Sequence, residues 1–287
     1  MTPLALGVLA VLLAGPVPAL MARWTRLRRT PFPAMLLWQG VALAAVLSAI
    51  GAGLSLATDH AWRTHGSLLQ YAVAALALSI TALVLARLLL SGHRVGTNLR
   101  ALRRRHRAQL DLVSRTEHGA RVVEHDVPLA YCVPGVTGSR VVVSAGALAR
   151  LDGDEVEAVL AHERAHLRAR HDLVLEFFHV LHQAFPRWVS SEAALREVEL
   201  LAEVLADRSA ARRTGTRPLA RALVALAEGR APQAALGAAG AALVDRVRLL
   251  GDAEPRRVQS ALVVLAALAV LALPTAFIVV PWLDSLR

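Results

Sequence analysis

The sequence has a single cysteine, few aromatic residues and no lysine. The lone cysteine, Cys132, excludes an intramolecular disulfide, which is typical of a chain kept in a reducing compartment. Aromatic residues make up 4% of the chain and hydrophobic residues 55%, so the apolar content is mostly Ala, Leu and Val. This composition favours lipid-spanning and core helices over the strands of a β-sandwich. All 32 basic residues are arginine, and the net charge of +10 suits anionic lipid or nucleic acid.

Four apolar stretches are long enough to cross a hydrocarbon layer about 30 Å thick. The first contains Pro16 and Pro18, which predict a kink near its inner end. It is not interpreted as a cleavable signal peptide, because arginines follow this stretch and none precedes it. The predicted transmembrane helices lie at about 2–21, 34–58, 67–90 and 260–282.

The arginines around these stretches predict the orientation. The loop after the first stretch holds four arginines and no acid, whereas the predicted outer loop and outer tail hold only Arg63 and Arg287. The positive-inside rule therefore places the N-terminus outside the plasma membrane and the long segment after the third helix in the cytoplasm. The expected domains are three transmembrane helices in 1–90, a cytoplasmic domain in 91–258, and the fourth helix with a short outer tail in 259–287.

A basic helical run, N-L-R-A-L-R-R-R-H-R, opens the cytoplasmic segment. No helix-turn-helix or zinc-finger pattern accompanies it, so direct nucleic-acid binding is not expected. Contact with anionic lipid at the inner leaflet is the simpler interpretation. The arginines concerned are Arg103, Arg104, Arg105 and Arg107.

A short β-rich region and a helix start follow. The runs R-V-V-E-H-D (121–126) and S-R-V-V-V-S (139–144) flank A-Y-C-V-P-G-V-T-G and predict a small hairpin or sheet. Cys132 lies between them and is interpreted as a small buried side chain, because no neighbour would activate a thiolate nucleophile. From Asp152 the pattern becomes helical, since Glu155 completes a capping box before an apolar run.

The sequence A-V-L-A-H-E-R-A-H carries the candidate chemistry. His162 and His166 are four residues apart on a predicted helix, so both imidazoles project from one face and can bind one ion. Glu163 reaches the edge of that face and suits a general base acting on water rather than a metal ligand. Imidazole plus carboxylate favours one Zn²⁺ per chain, with a fourth position left for water. The neighbouring histidines are interpreted as packed or exposed side chains rather than ligands: His171, His179 and His182.

A third ligand is expected on R-E-V-E-L-L-A-E-V-L-A-D-R-S-A, where acids recur every four positions on an otherwise apolar helix. Glu203 is the predicted ligand, with Glu199 in reserve. Asp207 is predicted to accept the free ring N–H of a ligand histidine and so to fix its tautomer. In the alternative interpretation these acids pair on a solvated surface with Arg164, Arg168 or Arg208.

The run from about 129 to 212 resembles membrane-embedded gluzincin peptidases of the BlaR/MecR type and, more distantly, HtpX-type peptidases. A-Y-C-V-P-G, L-D-G-D-E-V-E-A-V-L-A-H-E-R-A-H and E-V-L-A-D match in order. The resemblance implies a mainly α membrane protein with four transmembrane helices and a cytoplasmic α+β, zincin-like domain between helices three and four. It also implies zinc ligands at His162, His166 and Glu203, a catalytic Glu163, and an Asp207 that contacts a ligand histidine.

The resemblance further implies a zinc endopeptidase that signals by cleaving a cytoplasmic winged-helix repressor of the BlaI type. The β-lactam-sensing relatives carry a penicillin-binding domain after the last transmembrane helix, which this sequence lacks, so sensing through an acylated serine is not expected. Two alternatives stay open: quality control of membrane proteins, as in HtpX-type peptidases, and a non-catalytic tether with a structural zinc site. Tyr131 is a suggestion for the residue that stabilises the oxyanion.

Overall fold

The computed structural model describes residues 2–61, 67–135, 138–185, 192–230, 236–252 and 256–284. The first part of the chain forms α1 (Thr2–Ala14), α2 (Pro16–Arg23), a 3₁₀ turn (Thr25–Arg29), α3 (Pro31–Ala61) and α4 (Leu68–Val113). The central part forms β1 (Arg115–Glu117), β2 (Ala120–Val123), β3 (Ala130–Val133), β4 (Arg140–Ser144), α5 (Ala145–Arg150), α6 (Gly153–Ala169) and α7 (His171–Ala184). The last part forms α8 (Glu192–Thr214), α9 (Thr216–Arg230), α10 (Leu236–Gly251) and α11 (Arg257–Asp284).

Four helical segments of the described chain are long and apolar enough to cross a membrane. Together α1 and α2 form the first, and α3, α4 and α11 supply the other three. The chain breaks between α1 and α2 at Gly15, directly before Pro16, as the two prolines predict. The number of apolar segments agrees with the sequence prediction.

Helix α4 is much longer than a membrane crossing requires. It contains 46 residues, or about 69 Å at the usual helical rise, whereas a crossing needs about 20 residues. Its apolar part continues without a break into the basic run around Arg103 and Arg107. The basic run is therefore the extension of the third apolar helix.

The described residues form two compact units, which divide the chain as follows. The first comprises Met1–His93, Phe178–Val198 and Arg256–Arg287, and the second comprises Arg94–Phe177 and Glu199–Pro255. The end of α7 and the start of α8 thus pack in the same unit as the apolar helices. The domain bounds expected from the sequence stay a prediction.

In the first unit, α3 packs against α1 and α11, and the end of α7 is fixed on α4. Arg87 Nε donates a 2.7 Å hydrogen bond to the carbonyl oxygen of Ala184, the last residue of α7. Ser91 Oγ donates a 2.8 Å bond to the carbonyl oxygen of Val180. The arginine thereby satisfies a carbonyl that has no donor within its own helix.

The second unit contains a four-stranded sheet in the order β1-β2-β4-β3. Strand β1 pairs antiparallel with β2, and β3 pairs antiparallel with β4, but β2 and β4 are parallel. The two β-rich runs of the sequence are therefore neighbours in a sheet, not the arms of a hairpin. The segment A-Y-C-V between them is itself strand β3, which ends before Pro134 because proline has no N–H to donate.

Side chains alternate between the two faces of this sheet. Cys132 and Val141 face the core built with α6, which includes Val159. Tyr131 and Val142 face the other side, where they pack with Leu110 of α4. The sheet is therefore covered by a helix on each face, and β3 lies beside the helix that carries the candidate histidines.

Helix α6 begins with the capping box that the sequence predicts. The Asp152 carboxylate accepts a 3.0 Å bond from the Glu155 N–H, and the Glu155 carboxylate accepts a 3.1 Å bond from the Asp152 N–H. The box satisfies two backbone N–H groups in the first turn of α6 and so fixes where the helix begins. Val159 and Leu160 of α6 then pack in the core with the sheet.

Candidate metal centre

Two histidines on α6 form the middle of the candidate site. The Nε2 atoms of His162 and His166 lie 3.1 Å apart, and their ring centroids are separated by 4.8 Å. His162 is buried and His166 is half-buried. Because the two histidines are one helical turn apart, both rings lie on the same face of α6, as the sequence predicts.

Glu203 on α8 lies next to both histidines. Its Oε1 is 3.4 Å from His166 Nε2, and its Oε2 is 3.6 Å from His162 Nε2. The Glu203 side chain is 37% exposed, so solvent reaches the cluster from this side. Glu199, the reserve candidate, is exposed and does not belong to the metal-binding group found among the described residues.

These three side chains fit one divalent cation. One ligand atom from each lies within 4.8 Å of the others. Ligands about 2.0–2.2 Å from a tetrahedral zinc ion are roughly 3.3–3.6 Å from one another, close to the observed 3.1 to 3.6 Å separations. Two imidazoles and one carboxylate are also the donor set of zinc sites that keep a position open for water or substrate.

Asp207 lies one turn after Glu203 and behind His162. Its Oδ1 is 2.9 Å from His162 Nδ1, although the ring N–H is not well aligned with that oxygen. Arg246 donates two further hydrogen bonds to Asp207, from Nε at 2.8 Å and from Nη2 at 2.7 Å. Because the Asp207 side chain is only 1% exposed, its charge depends on these partners. The sequence predicts the contact with His162 but not the pairing with arginine.

Arg246, on α10, is a site residue that the sequence analysis missed. Its Nη1 lies 2.9 Å from Glu203 Oε2, so the guanidinium bridges Glu203 and Asp207. Nothing in the local sequence V-D-R-V-R distinguishes it from the other arginines of the chain. Among the arginines suggested as alternative partners, Arg164 donates to the His118 carbonyl and Arg208 to the Asp252 carbonyl.

The pKa values of the cluster are strongly displaced. Burial alone would lower the pKa of His162, but the Asp207 and Glu203 carboxylates raise it to about 9. Burial lowers the pKa of His166 to about 4, against the opposing effect of Glu203. Burial disfavours the charged form of Glu203, yet His162 and Arg246 lower its pKa to about 2. Without metal at neutral pH, the site therefore holds a cationic His162, a neutral His166 and an ionised Glu203.

We expect the apparent zinc affinity to rise with pH by about one decade per unit between pH 6 and 8. His162 must lose one proton to bind the ion, and its pKa of about 9 lies above this interval, whereas His166 and Glu203 are already deprotonated. Competition with a chelating dye of known pH dependence measures the slope. An affinity that stays constant across the interval would contradict the assignment of His162 as the protonated member.

Glu163 follows His162 on α6 and is half-buried. Cys132, on β3, lies close enough to Glu163 for the carboxylate to act on its thiol. Burial and, to a smaller degree, the Glu163 charge raise the pKa of the Cys132 thiol, which stays protonated at neutral pH. Cys132 is therefore not a thiolate nucleophile, in agreement with the sequence analysis. Its closeness to Glu163 also shows that the Glu163 carboxylate lies near β3.

Tyr131, the neighbour of Cys132 on β3, does not lie beside Glu163. Its hydroxyl lies 2.9 Å from His106 Nε2, on the face of the sheet that packs against α4. The alternation of side chains along β3 sends Tyr131 away from the face that carries Cys132. The structure therefore gives no support to Tyr131 as a residue that stabilises the oxyanion.

His171 contacts the site although it is not one of the three clustered ligands. It begins α7 directly after Arg170, whose left-handed backbone (φ 52°) ends α6. His171 is buried, and its Nδ1 lies 3.0 Å from His166 Nδ1. A His166 that binds an ion through Nε2 carries its proton on Nδ1, so it donates to the unprotonated Nδ1 of His171. His171 thus positions His166 as Asp207 positions His162.

We expect His171→Ala to weaken zinc binding by about 10–100-fold, because His166 then loses the acceptor that fixes its tautomer and ring orientation. Chelator competition on the purified protein measures the dissociation constant. His179→Ala, a change of the same kind on α7 but outside the metal-binding group, serves as the control. Equal zinc affinity in wild type and His171→Ala would remove the positioning role.

Comparison with known proteins places this site within a recognised domain. Residues 97–250 match the Peptidase family M48 domain, a range that includes both histidines, Glu163, Glu203 and Arg246. No curated protein and no solved structure matches the chain.

Proposed function

Because the chain belongs to peptidase family M48, we propose that it is a membrane-bound zinc endopeptidase with its active site on α6 and α8. Peptidases of this family are zinc-dependent. The observation that carries the proposal is the convergence of His162, His166 and Glu203, with ligand atoms within 4.8 Å of one another. In this proposal the three residues bind one zinc ion per chain, and Asp207 holds His162 by its second ring nitrogen.

The chemistry assigned to the chain follows from these positions. Zinc bound there supplies the Lewis acid that polarises the scissile carbonyl. Glu163 takes the proton from the attacking water and passes it to the leaving amine, as a general base and then a general acid. Arg246 keeps Glu203 and Asp207 ionised, so both carboxylates stay available to the metal centre. The intact Glu163 favours catalysis over a purely structural zinc site, which does not require it.

An extended peptide fits the edge of the sheet. In the described part of the chain β3 is the last strand of the sheet, so one of its edges has no strand partner. Substrate backbone can pair along that edge, which presents its scissile carbonyl to the cluster. The contact between Cys132 of β3 and Glu163 supports this placement, because it brings the free edge and the proposed base together.

We further propose that the N-terminus lies outside the plasma membrane and that the peptidase domain is cytoplasmic. The asymmetry of the arginines supports this orientation. On the extension of α4, the exposed Arg94 and Arg100 follow the apolar part most closely and suit contact with anionic lipid. The same proposal extends to the basic run farther along this helix, which includes Arg104 and Arg105.

The proposed substrate is a cytoplasmic transcriptional repressor of the winged-helix type, cleaved as a signalling step. Quality control of membrane proteins uses the same chemistry, and substrate identity separates the two functions. The direct experiment expresses Glu163→Gln in the host as a substrate trap and identifies proteins that accumulate uncleaved or co-purify. Glu157→Gln, an exposed change on the same helix, is the matched control.

A soluble DNA-binding repressor in the trap supports signalling. Damaged membrane proteins in the trap overturn the repressor assignment in favour of quality control. A trap that accumulates no protein, with wild-type extracts that cleave none, supports the non-catalytic tether and contradicts the endopeptidase.

A further inference from the structure

An ion pair joins the loop after the first apolar segment to helix α8. Arg28 lies in the 3₁₀ turn (Thr25–Arg29), and Glu197 lies on α8, 169 residues later in the chain. Arg28 Nε donates a 3.0 Å hydrogen bond to Glu197 Oε2, and Arg28 Nη2 donates a second bond to Oε1. A guanidinium that binds both oxygens of a carboxylate fixes the direction of the pair as well as its separation.

This ion pair is largely shielded from solvent. The side chains of Arg28 and Glu197 are 18% and 13% exposed. Ion pairs on an open surface contribute little to stability, whereas a shielded carboxylate is strongly destabilised when its cation is removed. Loss of Arg28 would therefore favour movement of the Glu197 carboxylate toward water, together with the turn of α8 that carries it.

Helix α8 connects Glu197 to a proposed zinc ligand. It is one unbroken helix from Glu192 to Thr214, and it carries both Glu197 and Glu203. The two acids are about 9 Å apart along the helix axis and point roughly 120° apart around it. Arg28 therefore binds a different side of α8 from the one that faces the histidines, and its influence on Glu203 passes through the helix itself.

The part of α8 between the two acids is firmly packed. Val198 is fully buried, and Leu201 and Ala202 are each 1% exposed. Because protein interiors are close-packed, this stretch cannot bend without opening voids, so a displacement at Glu197 is carried on to Glu203. Metal ligands must lie within about 0.2 Å of their ideal distances, and a small shift of Glu203 is therefore enough to weaken metal binding.

We propose that Arg28 is a positioning residue for the metal centre, which holds α8 through Glu197 and thereby fixes Glu203 among the zinc ligands. This inference rests on the proposed function, because Glu203 acts there as a ligand. It also gives the loop between the first two apolar segments a route to the zinc site, since a change in that loop reaches Glu203 along α8.

Charge reversal in the purified full-length protein tests the proposal, with zinc affinity measured by competition with a chelating dye. Arg28→Glu and Glu197→Arg should each weaken zinc binding by about 3–10-fold, the range expected for coupling through a packed helix. The double variant Arg28→Glu/Glu197→Arg restores the pair with opposite polarity and should recover the wild-type affinity within about twofold. Arg28→Gln, which removes the charge without adding repulsion, should weaken binding less than Arg28→Glu.

The matched control is Arg26→Glu, which makes the same charge change on the same turn. Arg26 is exposed, so this variant should bind zinc as the wild type does. It also separates the effect of the ion pair from any effect of a lost positive charge on membrane orientation, because both variants remove one arginine from the same loop.

Three results overturn the proposal. If both single variants bind zinc with the wild-type affinity and only unfold at a lower temperature, the pair stabilises the fold without positioning Glu203. If the double variant binds as weakly as the single ones, the loss does not arise from the broken pair. If the wild type itself binds no zinc, the proposed function fails, and the role of Arg28 fails with it.

Discussion

Glu163→Gln is expected to abolish peptide hydrolysis while the protein still binds one zinc ion. The amide has the size of the carboxylate but cannot accept a proton from water, and general base catalysis contributes about 10²–10⁴-fold to the rate. Glu163 is not one of the clustered ligand residues, so the metal should remain. The measurement is the initial cleavage rate of the purified protein on a trapped substrate, beside its zinc content by elemental analysis.

Glu157→Gln provides the matched control, since it makes the same chemical change at an exposed position on the same helix. It should cleave at the wild-type rate. Proteolysis by Glu163→Gln at the rate of this control would remove the assignment of the base. Loss of zinc from Glu163→Gln would instead show that Glu163 is a ligand.

Glu203→Ala is expected to lose zinc and, with it, activity. A site with three protein ligands becomes a pair of imidazoles, and the neighbouring Arg246 then faces the remaining pair without the negative charge of Glu203. We expect the zinc affinity to fall by more than about 100-fold, beyond the effect of removing an outer partner of a ligand. Competition with a chelating dye measures this change, and circular dichroism checks that the helices are retained.

The control for this variant is Glu199→Ala, one turn earlier on α8. It should bind zinc as the wild type does, because Glu199 is exposed and outside the metal-binding group of the described residues. The opposite pair of results, with zinc lost from Glu199→Ala and retained by Glu203→Ala, would transfer the ligand role to the reserve candidate.

Features with a local period were predictable from the sequence. The histidines of α6 and the acids of α8 recur every four residues, so their shared helix faces follow from helical geometry alone. The capping box at Asp152 and Glu155 is likewise a short-range pattern. Long apolar runs predict the four apolar helices from hydropathy and length.

Features that depend on distant pairings were not predictable. The approach of α10 brings Arg246 to Asp207, which is 39 residues away in sequence. The contact of His171 with His166 depends on the left-handed turn at Arg170. Arginine seldom adopts this backbone conformation, so the residue type does not predict the turn. The sequence did indicate that Asp207 has a partner, because an acid on an apolar stripe requires a buried cation. It does not say which arginine supplies that cation.

The sheet shows the same limit. β-Propensity identified the two runs that became β2 and β4, but their parallel pairing requires a connection through β3 that propensity does not contain. The position of β3 at the edge of the sheet follows from this pairing. The proposed substrate-binding edge of β3 is therefore a property of the fold rather than of any one motif.

X-ray absorption at the zinc edge on the purified wild-type protein tests the central claim most directly. We predict one zinc ion per chain with two imidazole nitrogens and a carboxylate oxygen, at about 2.0–2.2 Å, and no sulfur neighbour. A protein that binds no zinc, or a spectrum that requires sulfur from Cys132 at about 2.3 Å, would contradict the account.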